Sequence, residues 1–371
     1  MSSQLTRRQW LSRSGSALGG ILLASNGLSM TGSGSRSSFP SGSPVRMMFN
    51  ENPYGPSPAA RKAMTEAFNE GNLYSGAARR ELRELIARQE NVTPDHIIIG
   101  AGSREILNVA GLLCGLENGA LVSPFPTFEA INSYAKNLGA TVHRAPLDDE
   151  MGVDLAKMAS MITNDTKLVY LCNPNNPTGK TIPDAQMRPF CEEISKDRLV
   201  FVDEAYNEYV DDLQYKSSVE LVREGRNIIV SRTASKIHGL AGLRVGFGIA
   251  QPDLIRRLQQ ISTGTTNIVG LRAAIASYRD REFQQFCLQK NKASKEIVYK
   301  LLQETGRRYL DSQTNFIFLH TGRPIEKFQQ TMEKRGFLVG RPFPPYKNWC
   351  RLSLAKPEET ASFAKVFRDV I

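Results

Sequence analysis

The chain has 371 residues, ordinary apolar content and a formal charge of +10, enough length for about two soluble domains. Arg7, Arg8, Arg13 and Arg36 precede residue 44 with no acid among them, so the remainder carries +6. With no basic run interleaved with aromatics, that excess fits a merely basic surface or small anionic ligands rather than nucleic acid. Five cysteines without a CxxC pair argue against a complete disulfide framework, and four scattered histidines predict no metal.

In chain order, Thr6-Arg7-Arg8-Gln9-Trp10-Leu11 resembles a twin-arginine export signal and precedes a mildly apolar run from Ala17 to Leu28. That run is too short and small-residued for a stable membrane span. A disordered basic terminus with a chance Arg-Arg is the alternative, but from the order basic, apolar, then Ser- and Gly-rich, residues 1–30 are expected to be a signal for the export machinery, directing the protein to the periplasm or beyond. Residues 31–44, rich in Gly and Ser, read as a flexible linker. A Pro- and Gly-dense arm follows over 45–58, with Asn52 and Tyr54 as candidate substrate contacts. Such a segment either lines a cleft or simply connects elements. Helical spacing covers Pro58–Glu70 and Ala77–Gln89, separated by a turn that carries Tyr74.

From residue 95 strands and helices alternate. His96–Ile99 reads as a strand running into Gly100-Ala101-Gly102-Ser103, with a helix over Arg104–Leu116. Free amides at a helix start bind anions, although an ordinary tight connection has the same pattern. Strands at Ala120–Val122, Thr141–Arg144, Lys167–Cys172, Leu199–Val202, Asn227–Val230 and Arg244–Ala250 follow, with polar motifs just beyond their ends. This pattern implies an α/β fold with a mostly parallel sheet covered on both faces, which binds ligands at the strands' carboxyl ends. Residues 59–265 form the expected large domain. Residues 266–371 form a smaller α+β domain, starting with one long helix over Leu271–Glu304.

The chemistry centres on Lys236, in the loop Ser231–Gly248. An amine in a dry pocket loses its proton easily and can form a Schiff base. Thr233, Ser235 and Arg244 supply donors and a cation for a phosphate. Asp203, at the end of a buried strand, suits a protonated pyridine nitrogen. Asn176 and Tyr206 suit a phenolic oxygen, and Phe128 a ring face. Taken singly, Phe128 reads more as a core residue than as a cofactor contact, and Tyr206 could be a packed strand-end residue. As a set, one residue for each need, they point to pyridoxal phosphate.

These motifs, with NENPYG at Asn50–Gly55, GAGS, SPFPTF, NPNNPTG, VDEAY, SKIHGLAGLRVGFG, and Arg341-Pro342-Phe343 before Cys350-Arg351-Leu352-Ser353, resemble the fold-type I aminotransferases, the histidinol-phosphate aminotransferase group above all. The resemblance runs from about residue 46 to the C-terminus and implies a seven-stranded-type sheet. It implies that Lys236 carries the cofactor and shuttles protons, and that Asp203 pairs with the ring nitrogen. Gly102, Ser103, Thr233, Ser235 and Arg244 would hold the phosphate. Arg351 and Arg341 would hold a substrate's anionic end, and Tyr74 would enter the neighbouring subunit's site, making a homodimer. The implied activity moves an amino group from an amino donor to a 2-oxo acid. A phosphoamino-acid decarboxylase and a non-catalytic binding module are the alternatives. His238 stands where the resembled family has an aromatic, and Ser75 where it commonly has Pro.

Overall fold

The computed structural model describes residues 43–370. The Arg7-Arg8 motif and nearly all of the expected linker lie outside those residues. Strand β1 (Val45–Met47) leads through the Pro- and Gly-rich arm into helices Pro58–Ala67 and Gly76–Gln89. The first has a side-chain cap, with Ser57 accepting from Ala60 N at 3.1 Å and Pro58 occupying the first turn.

Strands β2 (Ile97–Gly100), β3 (Ala120–Phe125), β4 (Thr141–Pro146), β5 (Thr166–Cys172), β6 (Leu199–Asp203), β7 (Ile228–Thr233) and β8 (Gly246–Ile249) form a seven-stranded sheet ordered β2-β8-β7-β6-β5-β3-β4. All neighbours are parallel except β8, which runs antiparallel to both β2 and β7. The central strands are apolar on both faces. Val169, Leu171, Val200, Val202 and Val230 join one buried cluster, while Leu168, Tyr170, Leu199, Phe201 and Ile229 join another across the sheet. This period of two within unbroken apolar runs marks a sheet covered on both sides. Helix Ser103–Leu116 packs over one face with Ile106, Leu107 and Ala110.

Beyond residue 265 the expected single helix is two, Ile268–Arg279 and Arg281–Glu304. Asp280 breaks it: its backbone leaves the helical region (φ −88°, ψ 73°), and its carboxylate accepts from Phe283 N at 3.0 Å, capping the second helix. Strands β9 (Phe316–His320), β10 (Phe337–Val339) and β11 (Trp349–Ser353) make two small sheets, β11 antiparallel to β9 and β10 parallel to β1. Met47 of β1 thereby enters the apolar cluster of Leu301, Ile317, Phe328 and Phe363. The arm is thus anchored at both ends, and its middle is held across the carboxyl ends of the large sheet. Among the described residues no helix is long and apolar enough to cross a membrane.

Candidate active site

The parallel register sets Cys172, Asp203 and Ser231 side by side at the carboxyl ends of β5, β6 and β7. Cys172 and Asp203 border a cavity of about 620 Å³ whose wall includes Ser103, Phe128, Asn176, Tyr206 and Lys236. Thr233, Ser235, Arg244, Arg341 and Arg351 also line it. One chamber therefore gathers residues from positions as distant as 103 and 351.

Lys236 Nζ lies 3.3 Å from the Asn50 carbonyl, 3.4 Å from that of Phe49 and 5.5 Å from the Tyr206 ring centre. Burial, with help from the Arg351 cation, lowers its pKa to about 8 against the opposing pull of Asp203. Burial raises Asp203 to about 6, although Oδ1 accepts from Ser231 Oγ at 2.9 Å and Lys236 is near. A buried amine and carboxylate have thus been drawn toward neutrality from opposite sides. Burial also raises the Tyr206 phenol above its ordinary range.

Two outer contacts orient the wall. Arg351, itself buried and pushed down to about 10 by that burial, donates to Asn176 Oδ1 at 2.8 Å and to the Met48 carbonyl at 2.7 Å. Because the Asn176 oxygen is taken, its NH₂ is the group left for the cavity. Asn50 Nδ2 donates to Tyr206 Oη at 2.8 Å.

At the other end, Thr233 Oγ1 donates to Ser235 Oγ at 3.0 Å, and Arg244 Nη1 lies 3.4 Å from the same oxygen. Helix Ser103–Leu116 starts here with no side-chain cap on Gly102, leaving backbone donors for an anion. The cradle admits no extra atoms. A Cβ on Gly102 (φ +81°) would stand 2.2 Å from Arg244 Nη2, and one on Gly246 would stand 2.2 Å from Ser103 N. Burial and the neighbouring Arg104 cation both lower the Arg244 pKa, so two guanidinium groups converge where a dianion would relieve them. The donor set, the tight cradle and the Asp203 carboxylate on the same cavity wall fit a phosphorylated pyridine.

Other expected residues lie elsewhere. Asn52 does not face the cavity: its amide donates to the Ile237 carbonyl at 2.7 Å and reaches Cys287 Sγ at 3.2 Å, tying the arm to the lysine loop. Tyr54 packs edge-on against Phe286 with ring centres 4.9 Å apart. Tyr74 is fully exposed on its turn. His238 points away from the cavity. Its Nδ1 lies 2.9 Å from Ser277 Oγ and its ring centre 4.0 Å from that of Tyr278, so it fastens the lysine loop to helix Ile268–Arg279. Asn50 was missed. It is buried at φ 56°, a conformation in which asparagine is enriched, and that preference was the available signal. Arg104, over the Phe128 ring at 5.8 Å, was missed as well.

Residues 44–367 match the family described as aminotransferase class I and II. The histidinol-phosphate aminotransferase of Halalkalibacterium halodurans is 33% identical over 88% of this chain and 89% of its own length. A putative histidinol-phosphate aminotransferase from Erwinia carotovora atroseptica superposes with a TM-score of 0.85 at 34% identity, covering 88% of this chain and 95% of that one. The Sinorhizobium meliloti histidinol-phosphate aminotransferase in complex with pyridoxal 5'-phosphate gives 0.79 at 26% identity, with 88% and 91% covered. With the cavity built as described and this likeness along nearly all the described residues, the chain belongs to the class I and II aminotransferases and is a pyridoxal phosphate-dependent aminotransferase.

Proposed function

We propose that the enzyme transfers an amino group from a donor carrying an anionic group, of the histidinol-phosphate or amino-acid kind, to a 2-oxo acid. The observation that carries this reading is the placement of Lys236, Asp203 and the Arg351 fork on one cavity wall. The names of the relatives support the histidinol-phosphate side of it.

Bound pyridoxal phosphate supplies an aldehyde that takes up the amino group and a protonated ring that withdraws electrons from the substrate's α-carbon. Ser103, Thr233, Ser235 and Arg244 would hold its phosphate, Asp203 its ring nitrogen, Asn176 and Tyr206 its phenolic oxygen, and Phe128 its ring face. Lys236, with its pKa lowered toward neutral pH, can take a proton from the substrate's α-carbon and return one to the carbon on the cofactor side of the nitrogen. Arg351 and Arg341, both on the cavity wall, would hold the substrate's anionic end. Fully exposed Tyr74, beside exposed Leu73 and Phe68, supports a homodimer in which Tyr74 completes the neighbouring site.

Visible absorbance of the cofactor-loaded protein, screened against histidinol phosphate and aromatic and acidic amino acids with Lys236→Ala as control, tests the reading. A shift to the amine form with a 2-oxo product is expected. Carbon dioxide release would assign a decarboxylase instead, and no response to any donor a binding module.

The order Arg7-Arg8, apolar run, then Gly- and Ser-rich stretch supports export by the twin-arginine route, which carries folded, cofactor-loaded proteins. Cell fractionation of the native chain against Arg7→Lys/Arg8→Lys tests this. Equal retention of both in the cytoplasm would refute it.

A further inference from the structure

Asn50 touches both of the groups that handle protons at this site. Its backbone carbonyl faces Lys236 Nζ at 3.3 Å and also accepts from Asn315 Nδ2 at 3.0 Å. Its side-chain amide reaches Tyr206. The direction of that second contact decides what Tyr206 can do, and it is set by a residue 303 positions away.

Asn50 N–H donates to Ser353 Oγ at 2.8 Å. The Ser353 hydroxyl, having accepted there, places its own hydrogen on Asn50 Oδ1 at 2.8 Å. The amide oxygen is then engaged, and the amide nitrogen donates to Tyr206 Oη at 2.8 Å. Asn50 is buried at 1% exposure and Ser353 at 2%, so no bulk water competes for these positions. None of the three side chains has an unsatisfied buried polar atom, so the chain of donors closes. It runs Asn50 N–H, Ser353 O–H, Asn50 NH₂, Tyr206, and its end is polarised: Tyr206 receives a hydrogen from the protein and has its own hydrogen to give. Tyr206 lines the cavity. Accepting one hydrogen bond strengthens a hydroxyl as a donor in the next.

We infer that Asn50 and Ser353 are positioning residues that make Tyr206 an obligate hydrogen donor into the cavity, fixing where its proton points. The inference rests on the proposed placement of the cofactor's phenolic oxygen against Tyr206 and Asn176. Asn176 is oriented in the same sense by Arg351, so two independent outer contacts aim two donors at one oxygen. Stronger donation there favours a negative oxygen and lowers the pH at which the linked lysine nitrogen titrates.

The test is a pH titration of the visible absorbance of cofactor-loaded protein. Asn50→Gly keeps the left-handed backbone (φ 56°) while deleting the amide. Ser353→Ala keeps Asn50 and deletes only the hydroxyl that orients it. Both are expected to raise the titration midpoint, by about one pH unit for Asn50→Gly and less for Ser353→Ala. Tyr206→Phe is expected to raise it at least as far, and the double variant Asn50→Gly/Tyr206→Phe to match Tyr206→Phe alone, because the relay acts only through that hydroxyl. An unmoved midpoint in the single variants, or additive shifts in the double, overturns the inference. If Asn50→Gly does not fold, Ser353→Ala alone and combined with Tyr206→Phe decides the same question. Failure of the cofactor placement is separately visible: Tyr206→Phe would then leave the midpoint of the native protein unchanged.

Discussion

Lys236 should destabilise the cofactor-free protein. Its amine ordinarily titrates at 10.5 and here at about 8, so below pH 8 the folded state holds a cation that it binds less willingly than the unfolded chain does. At about 1.4 kcal/mol per pH unit the drop corresponds to about 3 kcal/mol. Solvent in the open cavity screens part of this, and removing the lysine strips Asp203 of a counter-charge. Lys236→Met should therefore stabilise the cofactor-free protein by about 1–2 kcal/mol at pH 7. The gain has a pH signature. The penalty is complete below the folded value of about 8 and vanishes near 10.5, where the amine is neutral in both states. Urea unfolding of both proteins, freed of cofactor, should show the gap closing between pH 8 and pH 10.5. A variant less stable than the native chain at pH 7, or a gap that persists at high pH, would refute the reasoning.

Three further substitutions probe the frame around the site. Arg351→Lys cannot bridge Asn176 Oδ1 and the Met48 carbonyl as the planar fork does; kcat/KM should fall about 100-fold while the cofactor's visible absorbance persists. Arg232, buried between Glu204 at 3.0 Å and Glu90 at 2.7 Å, holds the residue next to Asp203. Arg232→Met should cost about 3–5 kcal/mol in chemical denaturation, because Glu204 is left buried without its counter-charge. Gly239 adopts φ +68° and its added Cβ would meet the Gly55 carbonyl oxygen at 2.2 Å. Since backbone stands on both sides, Gly239→Ala should cost about 2–4 kcal/mol, read as a lowered thermal midpoint.

The strand ends were legible because polar residues interrupt apolar runs there. Asp203 after Leu199–Val202 and the Asn- and Pro-dense turn after Cys172 are costly inside a strand and so announce a boundary. Periodicity merged the helices on either side of Asp280, because the apolar pattern continues across a one-residue break. The arm was harder to read. In a segment dominated by Pro and Gly no period reports which side chains face inward, and Asn52 was assigned the role of facing the site when Asn50 does so. What separates the two is a contact with Ser353 that only the folded chain makes.

His238 illustrates the same limit from the other direction. A residue two positions from Lys236 invites a role toward substrate, yet the loop turns at Gly239, where φ is +68°, and His238 ends buried against Ser277 and Tyr278. The charge of the cavity wall then bears on selectivity. That wall carries Arg104, Lys236, Arg244, Arg341 and Arg351 against the acids Asp203 and Glu129, and Glu129 is already engaged by Arg144 at 2.7 Å. A bound cofactor phosphate would answer part of this positive excess, where Arg244 and Arg104 converge. The guanidinium groups of Arg351 and Arg341 remain, far along the chain from those two but on the same wall. Leaving cations unpaired in a partly dry cavity is unfavourable, so a substrate bearing its own anionic group would gain binding energy there that a neutral amine of equal size would not.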